Sequence, residues 1–333
     1  MKNIKKKDIN VIVVGGAGYI GHVVINYFLK KKYKIICIDN LVYKNKLYLK
    51  NKNLVFIKSD YANFEAYSKY INKDSLVVFL GGLVGDPITA KYPAISKIHN
   101  EVSIKKSINF FLKRKVSKLV FTSTCSNYGI VKNNQMVNEK SKLLPISLYA
   151  KSKVLIEKFL KIKSKKSNTI ITILRFATAF GLSQRMRFDL TINQFVRDIY
   201  FRKKLEVYDN NTWRPYCHVN DFAKVIYKIL TKSKKDYQFN IFNVGSNENN
   251  YTKEMIIKKI QKFIPVDSVK FIKKSKDRRN YRVNFNKIKK YLKYHPKINI
   301  GFGIKEIIQL LKKGMFKNSK KKLNQFGNFK IIK

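Results

Sequence analysis

Cysteine, arginine, acidic residues and long apolar runs are all scarce in this chain, and each scarcity excludes something. No apolar stretch reaches the roughly 18–20 residues needed to cross a bilayer, and the lysine-rich start has no signal-peptide pattern. No membrane association is expected. The three cysteines, Cys37, Cys125 and Cys217, are too few and too scattered for a disulfide framework or a zinc site. The expectation is therefore no metal and a reducing, cytoplasmic setting. Only 20 acidic residues stand against 71 basic ones, leaving a formal charge of +51, which raises nucleic acid as a partner. Yet only ten of those 71 are arginines, the residue whose planar fork clamps phosphates and reads bases. The lysines run through the whole chain beside abundant Asn and Ile. That is the mark of compositional drift toward AT-rich codons, and no specific nucleic-acid role is expected.

At 333 residues the chain is long enough to bury a substantial core. Apolar runs at 10–14, 34–38, 55–58, 76–80, 118–122 and 169–174 alternate with helical patterns at 19–31, 64–70, 102–115 and 147–163. Such alternation signals βαβ units around a parallel sheet. Beyond about 181 the rhythm breaks into strands at 205–208 and 239–244 and helices at 219–231 and 252–263. The expected fold class is α/β, a Rossmann-type doubly wound parallel sheet with a smaller mixed α/β C-terminal substrate region. Residues 1–180 are expected to bind a dinucleotide, with segments near 215–245 packing back onto them. Residues 181–312 would mainly bind substrate, and 313–333 would form a frayed basic tail.

Between the first strand and helix, Gly15, Gly18 and Gly21 are spaced three apart, with Tyr19 and Ile20 opening the helix. Glycines there permit a tight turn, backbone approach to a pyrophosphate and close helix–strand packing, while the helix N-terminus offers free N–H groups. Asp39, eighteen residues after Gly21 and followed by Asn40, places a carboxylate where it would accept hydrogen bonds from ribose hydroxyls and repel a 2′-phosphate. NAD is therefore favoured over NADP. Farther on, Tyr149 and Lys153 lie four apart on one helix face. An ammonium beside a phenol favours the phenolate and lowers its pKa.

Together these residues resemble an extended short-chain dehydrogenase/reductase of the NAD-dependent epimerase/dehydratase family, which acts on nucleotide sugars. The resemblance spans roughly residues 9–310. It implies cofactor contacts from Asp60 with Tyr61 beside it, from Gly81 and Gly82 in the loop after the fourth strand, and from Asn100. It implies Tyr149 as general base, Lys153 as its partner and ribose anchor, and Thr124 as the residue orienting a sugar hydroxyl. Arg214 resembles the arginine that meets the substrate diphosphate. Arg279, with Arg278 beside it, matches a second such site, and Arg185 and Arg187 lie where the chain crosses toward the sugar. Thr178 stands where relatives place an asparagine, with one hydroxyl in place of an amide's two donors. A homodimer through helices 102–115 and 147–163 is implied as well.

Departures from the family pattern narrow the reaction. Dehydratases of this family carry an acid pair after the Thr, and this chain has Cys125 and Ser126, so dehydration is disfavoured. Cys125 and Cys217 read as small buried residues, and His218 as a cap or packing residue. The leading expectation is an NAD-dependent nucleotide-sugar epimerase acting through a keto-sugar. Net oxidation or reduction at C4 of the same substrates remains open, and a non-catalytic Rossmann module that binds RNA or scaffolds a complex is the rival from another class.

Overall fold

Apolar segments four to seven residues long, the inner ones buried on both faces, build the centre of this protein. The structure is a computed structural model and describes residues 9–131, 135–232, 238–267, 269–272, 279–320 and 323–332. In chain order come β1 (Asn10–Val14), α1 (Tyr19–Lys30), β2 (Lys34–Asp39), β3 (Leu54–Lys58), β4 (Leu76–Phe79), α2 (Asp86–Lys91) and α3 (Pro93–Lys97). Then follow α4 (Ile104–Lys113), β5 (Lys118–Thr124), β6 (Met136–Val137), α5 (Leu148–Ser164), β7 (Ile170–Phe176) and β8 (Thr178–Phe180). After these come α6 (Thr191–Tyr200), β9 (Leu205–Tyr208), β10 (Trp213–His218), α7 (Val219–Thr231), β11 (Phe239–Val244) and β12 (Asn250–Thr252). The chain continues through α8 (Lys253–Gln261), β13 (Val269–Ile272), β14 (Arg282–Val283), α9 (Asn286–Leu292) and α10 (Ile300–Lys312).

Seven strands form one parallel sheet in the order β3-β2-β1-β4-β5-β7-β11. The connections run outward in one direction from β1 and in the other from β4. A crevice therefore opens at the carboxyl ends of those two neighbours, as it does wherever a doubly wound sheet reverses. Helices on both faces explain the nearly unbroken Val, Ile and Phe in the strands. On one side α1 and α7 contribute Val24, Phe28, Phe222 and Ile226 to the core, and on the other α4 and α5 contribute Ile104, Ile108, Ile156 and Leu160. Each such side chain contributes about 1.5–3 kcal/mol by leaving water. A third apolar cluster, with Ile192, Ile256 and Ile304 from α6, α8 and α10, supports the region over the crevice. β11 extends the sheet and α7 packs against α1.

Two expectations need correction. The helix expected over 64–70 is a single 3₁₀ turn, Ser68–Tyr70. Phe64 stacks on Phe110 with centroids 4.6 Å apart, and the Tyr67 hydroxyl donates to the Tyr61 carbonyl at 2.6 Å, so side-chain anchoring sets this stretch rather than a helical ladder. The tail is also not frayed over its described residues. The Phe188 N–H donates to the Phe326 carbonyl at 2.7 Å and the Ile332 N–H to the Val42 carbonyl at 3.0 Å. Phe326 also packs against Phe188 and Phe316. The aromatic and amide residues between the lysines find partners that a lysine count does not register.

Beneath β5 and β7 lies a buried polar knot. Arg175 Nη2 and Glu157 Oε2 stand 2.6 Å apart, both side chains 4% exposed, and Ser123 and Asn127 also donate to Glu157. Removing one member of a buried pair strands the other charge. Arg175→Met is therefore expected to cost about 3–5 kcal/mol, read as a lowered urea midpoint at unchanged m-value. A midpoint within error of the parent would refute this role.

Candidate active site

The turn from β1 into α1 forms one wall of a cavity of about 420 Å³ at the crevice. Gly15 has φ +77°, and a Cβ there would stand 2.8 Å from Gly81 Cα, so the turn and the loop after β4 touch backbone to backbone. Gly15, Gly18, Tyr19, Ile20 and Gly21 all reach the cavity wall. The Tyr19 hydroxyl is committed to the Gly181 carbonyl at 2.6 Å. At the end of β2, Asp39 accepts from the N–H groups of Ala17 at 3.0 Å and Leu41 at 2.8 Å. Burial pushes its carboxyl up, and those two donors pull it back. Asn40, Tyr61, Gly81 and Gly82 complete this end of the wall.

Two residues expected at the cofactor do not reach the wall. Asp60 accepts from the Ala62 N–H at 2.8 Å and the Asn40 amide at 3.4 Å, so it braces the wall through Asn40. Asn100, 2% exposed, accepts from the Leu83 N–H at 2.7 Å and donates to the Leu83 carbonyl at 2.9 Å. Its amide is thus consumed in clamping the loop that carries Gly81 and Gly82. Gly82, at φ +128°, leaves room for it, since a Cβ would come within 2.7 Å of the Asn100 oxygen.

The reactive end lies where β5 stops and α5 begins. Ser147 caps α5 by accepting from the Ala150 N–H at 3.2 Å, which starts the helix just ahead of Tyr149. Thr124, Tyr149 and Lys153 all line the cavity. Thr124 Oγ1 accepts from the Ser126 N–H at 3.1 Å, leaving its own proton free to donate. Lys153, 3% exposed, donates to the Thr122 carbonyl at 2.9 Å, and its Nζ is 5.8 Å from the centre of the Tyr149 ring. The electrostatics differ from the expectation drawn from spacing alone. Burial, followed by the Asp86 carboxylate, pushes the Tyr149 phenol up, while Arg187 and Arg279 pull it down. Burial also drives Lys153 down to about 8, against a smaller upward pull from Glu157. Burial is the largest influence on both groups.

At the far rim, guanidiniums from separate segments converge. Arg187 forks onto the Asp189 carboxylate at 3.0 and 2.6 Å, Arg279 pairs with Asp86 at 2.6 Å, and Arg214 donates to the carbonyls of Trp213 and Arg279. Thr178, the first residue of β8, also faces the cavity. Arg278 lies outside the described residues. Cys125 turns its thiol to the Arg175 carbonyl at 3.2 Å. His218 caps α7 and pairs with Glu306 at 2.9 Å. Among the described residues no cluster of His, Cys, Asp or Glu could hold a metal, and no helix is long and apolar enough to cross a membrane.

Sequence reasoning missed Tyr43, Asn45, Asp86, Asp189 and Asn328, all of which line the cavity. Only Asp86 carried a signal, following the glycine-rich loop after β4 by a few residues. Its Oδ1 is buried with no partner among the described residues.

The model of the NAD dependent epimerase/dehydratase family matches residues 11–245. The chain belongs to this family. An uncharacterized protein of Methanocaldococcus jannaschii is 29% identical over 318 residues, covering 89% of this chain and 94% of its own. A putative UDP-glucose 4-epimerase of the same organism is 23% identical over 307 residues, covering 91% and 98%. The solved UDP-glucose 4-epimerase of Thermotoga maritima, with UDP-glucose, matches at a TM-score of 0.83 and 23% identity, covering 92% of this chain and 99% of its own. That likeness extends to the fold. As a family member the protein is an NAD-dependent enzyme, and the Gly15 cradle with Asp39 beside it suits that dinucleotide.

The depressed Lys153 has a measurable consequence. An unfolded lysine titrates near 10.4, so below about 8 the fold must bury an ammonium that the unfolded chain keeps hydrated. That cost is fully present below about pH 8 and fades as pH rises toward 10. Without added nucleotide, Lys153→Met is expected to be stabilised relative to wild type at pH 7, by up to about 3 kcal/mol, and to lose that gain by pH ~10. Denaturant titrations at the two pH values check it, and a gain independent of pH would refute it.

Proposed function

We propose that this protein is an NAD-dependent nucleotide-sugar epimerase acting by transient oxidation of its substrate to a keto-sugar. The observation that carries this reading is the meeting of Tyr149, Lys153 and Thr124 in the same cavity as the glycine turn and Asp39. Bound NAD supplies the hydride acceptor and, once reduced, the hydride donor. Tyr149 takes the proton of a sugar hydroxyl and later returns it, and Thr124 donates to that hydroxyl and orients it. Lys153 holds its positive charge beside the phenol, which offsets the penalty that burial places on the phenolate. Dehydration is disfavoured because the positions after Thr124 carry Cys125, with its thiol turned away, and Ser126. Arg214, Arg279 and Arg187, with Thr178, are the proposed contacts to the substrate's diphosphate and sugar, in the manner of charge-assisted forks.

Two of the similar proteins are named a putative UDP-glucose 4-epimerase and a UDP-glucose 4-epimerase, which supports a UDP-sugar with inversion at C4 as the first substrate class to test. A homodimer through α4 and α5 is part of the same reading. Ile98, Val102, Leu148 and Ile162, on these helices and the turns leading into them, are exposed apolar residues of the kind a partner covers. The proposed setting is cytoplasmic, in keeping with three free, buried cysteines.

Incubation with NAD and a panel of UDP-, GDP-, dTDP- and CDP-sugars tests the reaction. An epimer is expected without accumulating NADH, whereas stoichiometric NADH and ketone would overturn epimerisation. Tyr149→Phe is expected to lower turnover by about 10²–10⁴-fold while retaining NAD binding. Full turnover in that variant would remove Tyr149 from the mechanism.

A further inference from the structure

The mechanism above leaves unused the buried guanidinium of Arg185 and the C-terminal segment that reaches it. Arg185 follows β8 in a loop laid against the start of α1, where the Ser183 hydroxyl donates to the Tyr19 carbonyl at 2.7 Å. Its side chain lines the cavity, is 3% exposed and stacks over Tyr43 at 5.5 Å. Nη2 donates to the carbonyls of Asn324 at 3.3 Å and Gly327 at 3.0 Å, whereas Nε is buried with no partner among the described residues.

Such an orphan donor weighs against the fold unless a ligand completes it. The charge also acts on both sides of the glycine turn, countering part of the rise that burial gives Asp39 at the end of β2 and adding to the fall that burial gives His22 in the first turn of α1. Burial and the neighbouring Arg187 lower Arg185 itself to about 10, so it stays cationic at neutral pH. The segment that holds it is itself held. Asn328 donates to the Val84 carbonyl at 3.0 Å and, through its N–H, to Asp189 at 3.3 Å, and Ile332 is tied to Val42. Residues 323–332 thereby connect the loops after β2, β4 and β8, all of which border the cavity.

We propose that Arg185 binds the diphosphate of the dinucleotide at the N-terminus of α1, and that residues 323–332 hold it in place and so set how tightly the cofactor is retained. This rests on the NAD-dependent reading. It moves Arg185 from the sugar side, where the sequence placed it, to the cofactor side. A guanidinium whose Nη2 is committed to two main-chain carbonyls is fixed in orientation and keeps its buried Nε for a phosphate oxygen. Because an epimerase must keep its reduced cofactor until the hydride returns, slow cofactor release is the property this clamp would supply.

The test reads binding rather than turnover, so it separates from the sugar-panel experiment. NAD affinity and dissociation rate are measured by fluorescence on the full chain, on Arg185→Met, on Arg185→Lys and on a chain ending at residue 322, with UDP binding measured in parallel. Arg185→Met is expected to weaken NAD by about 10- to 100-fold, mostly through faster release, with UDP affinity unchanged. Arg185→Lys is expected to recover part of the loss. Truncation is expected to give a similar loss, and truncation combined with Arg185→Met no further one, because both remove the same contact. NAD affinity within twofold of wild type in Arg185→Met, or a loss confined to UDP, would overturn the assignment. Additive effects of truncation and Arg185→Met would overturn the coupling to the C-terminal segment.

Discussion

Where Gly15 meets Gly81, two backbones approach closer than any side chain would allow, and the cavity takes its shape from that contact. The first belongs to the turn leaving β1 and the second to the loop leaving β4, the two strands between which the sheet reverses direction. A side chain at Gly15 would part the loops, and with them the α1 N-terminus from the wall that carries Thr124 and Tyr149. Asn100 reinforces the same joint from behind by clamping Leu83, and Asp39 fixes its other side through Ala17. The cavity floor is therefore made of main chain, with side-chain chemistry confined to its ends.

Those ends differ in character. Near β5 and α5 the side chains are held in a dry environment that raises a phenol and lowers an ammonium, so at pH 7 the phenol keeps its proton while Lys153, at about 8, still carries its charge. At the rim, the guanidiniums already have carboxylate or carbonyl partners. The positive charge spread over the surface by lysine plays no visible part in either. Selective use of charge rests on a few arginines: Arg185, Arg187 and Arg214 buried at the cavity, and Arg175 in the knot with Glu157.

The parallel sheet was legible because its strands are short apolar runs separated by helical periodicity, and β9, β11 and α7 match their expected limits to the residue. The glycine turn, Asp39, Tyr149 and Lys153 were legible because each combines a residue type with a spacing set by one local element. Asp189 and Asn328 were not, because they reach the cavity only through contacts between segments far apart in sequence, which no local pattern encodes. The tail was misread for a related reason. Its lysines dominate the composition, while Phe326, Gly327 and Asn328 make the contacts. Asp60 and Asn100 were placed near the right loops but one layer too close to the ligand, a distinction that needs side-chain direction.

The Asp86–Arg279 pair joins the loop after β4 to the chain just ahead of β14, across the rim of the cavity. The same carboxylate raises the Tyr149 phenol while Arg279 lowers it, so the pair reaches the reacting end as two opposed charges that partly cancel. Any anion that took Arg279 would have to displace the carboxylate already seated there, and its affinity would be a difference between two anions for one cation.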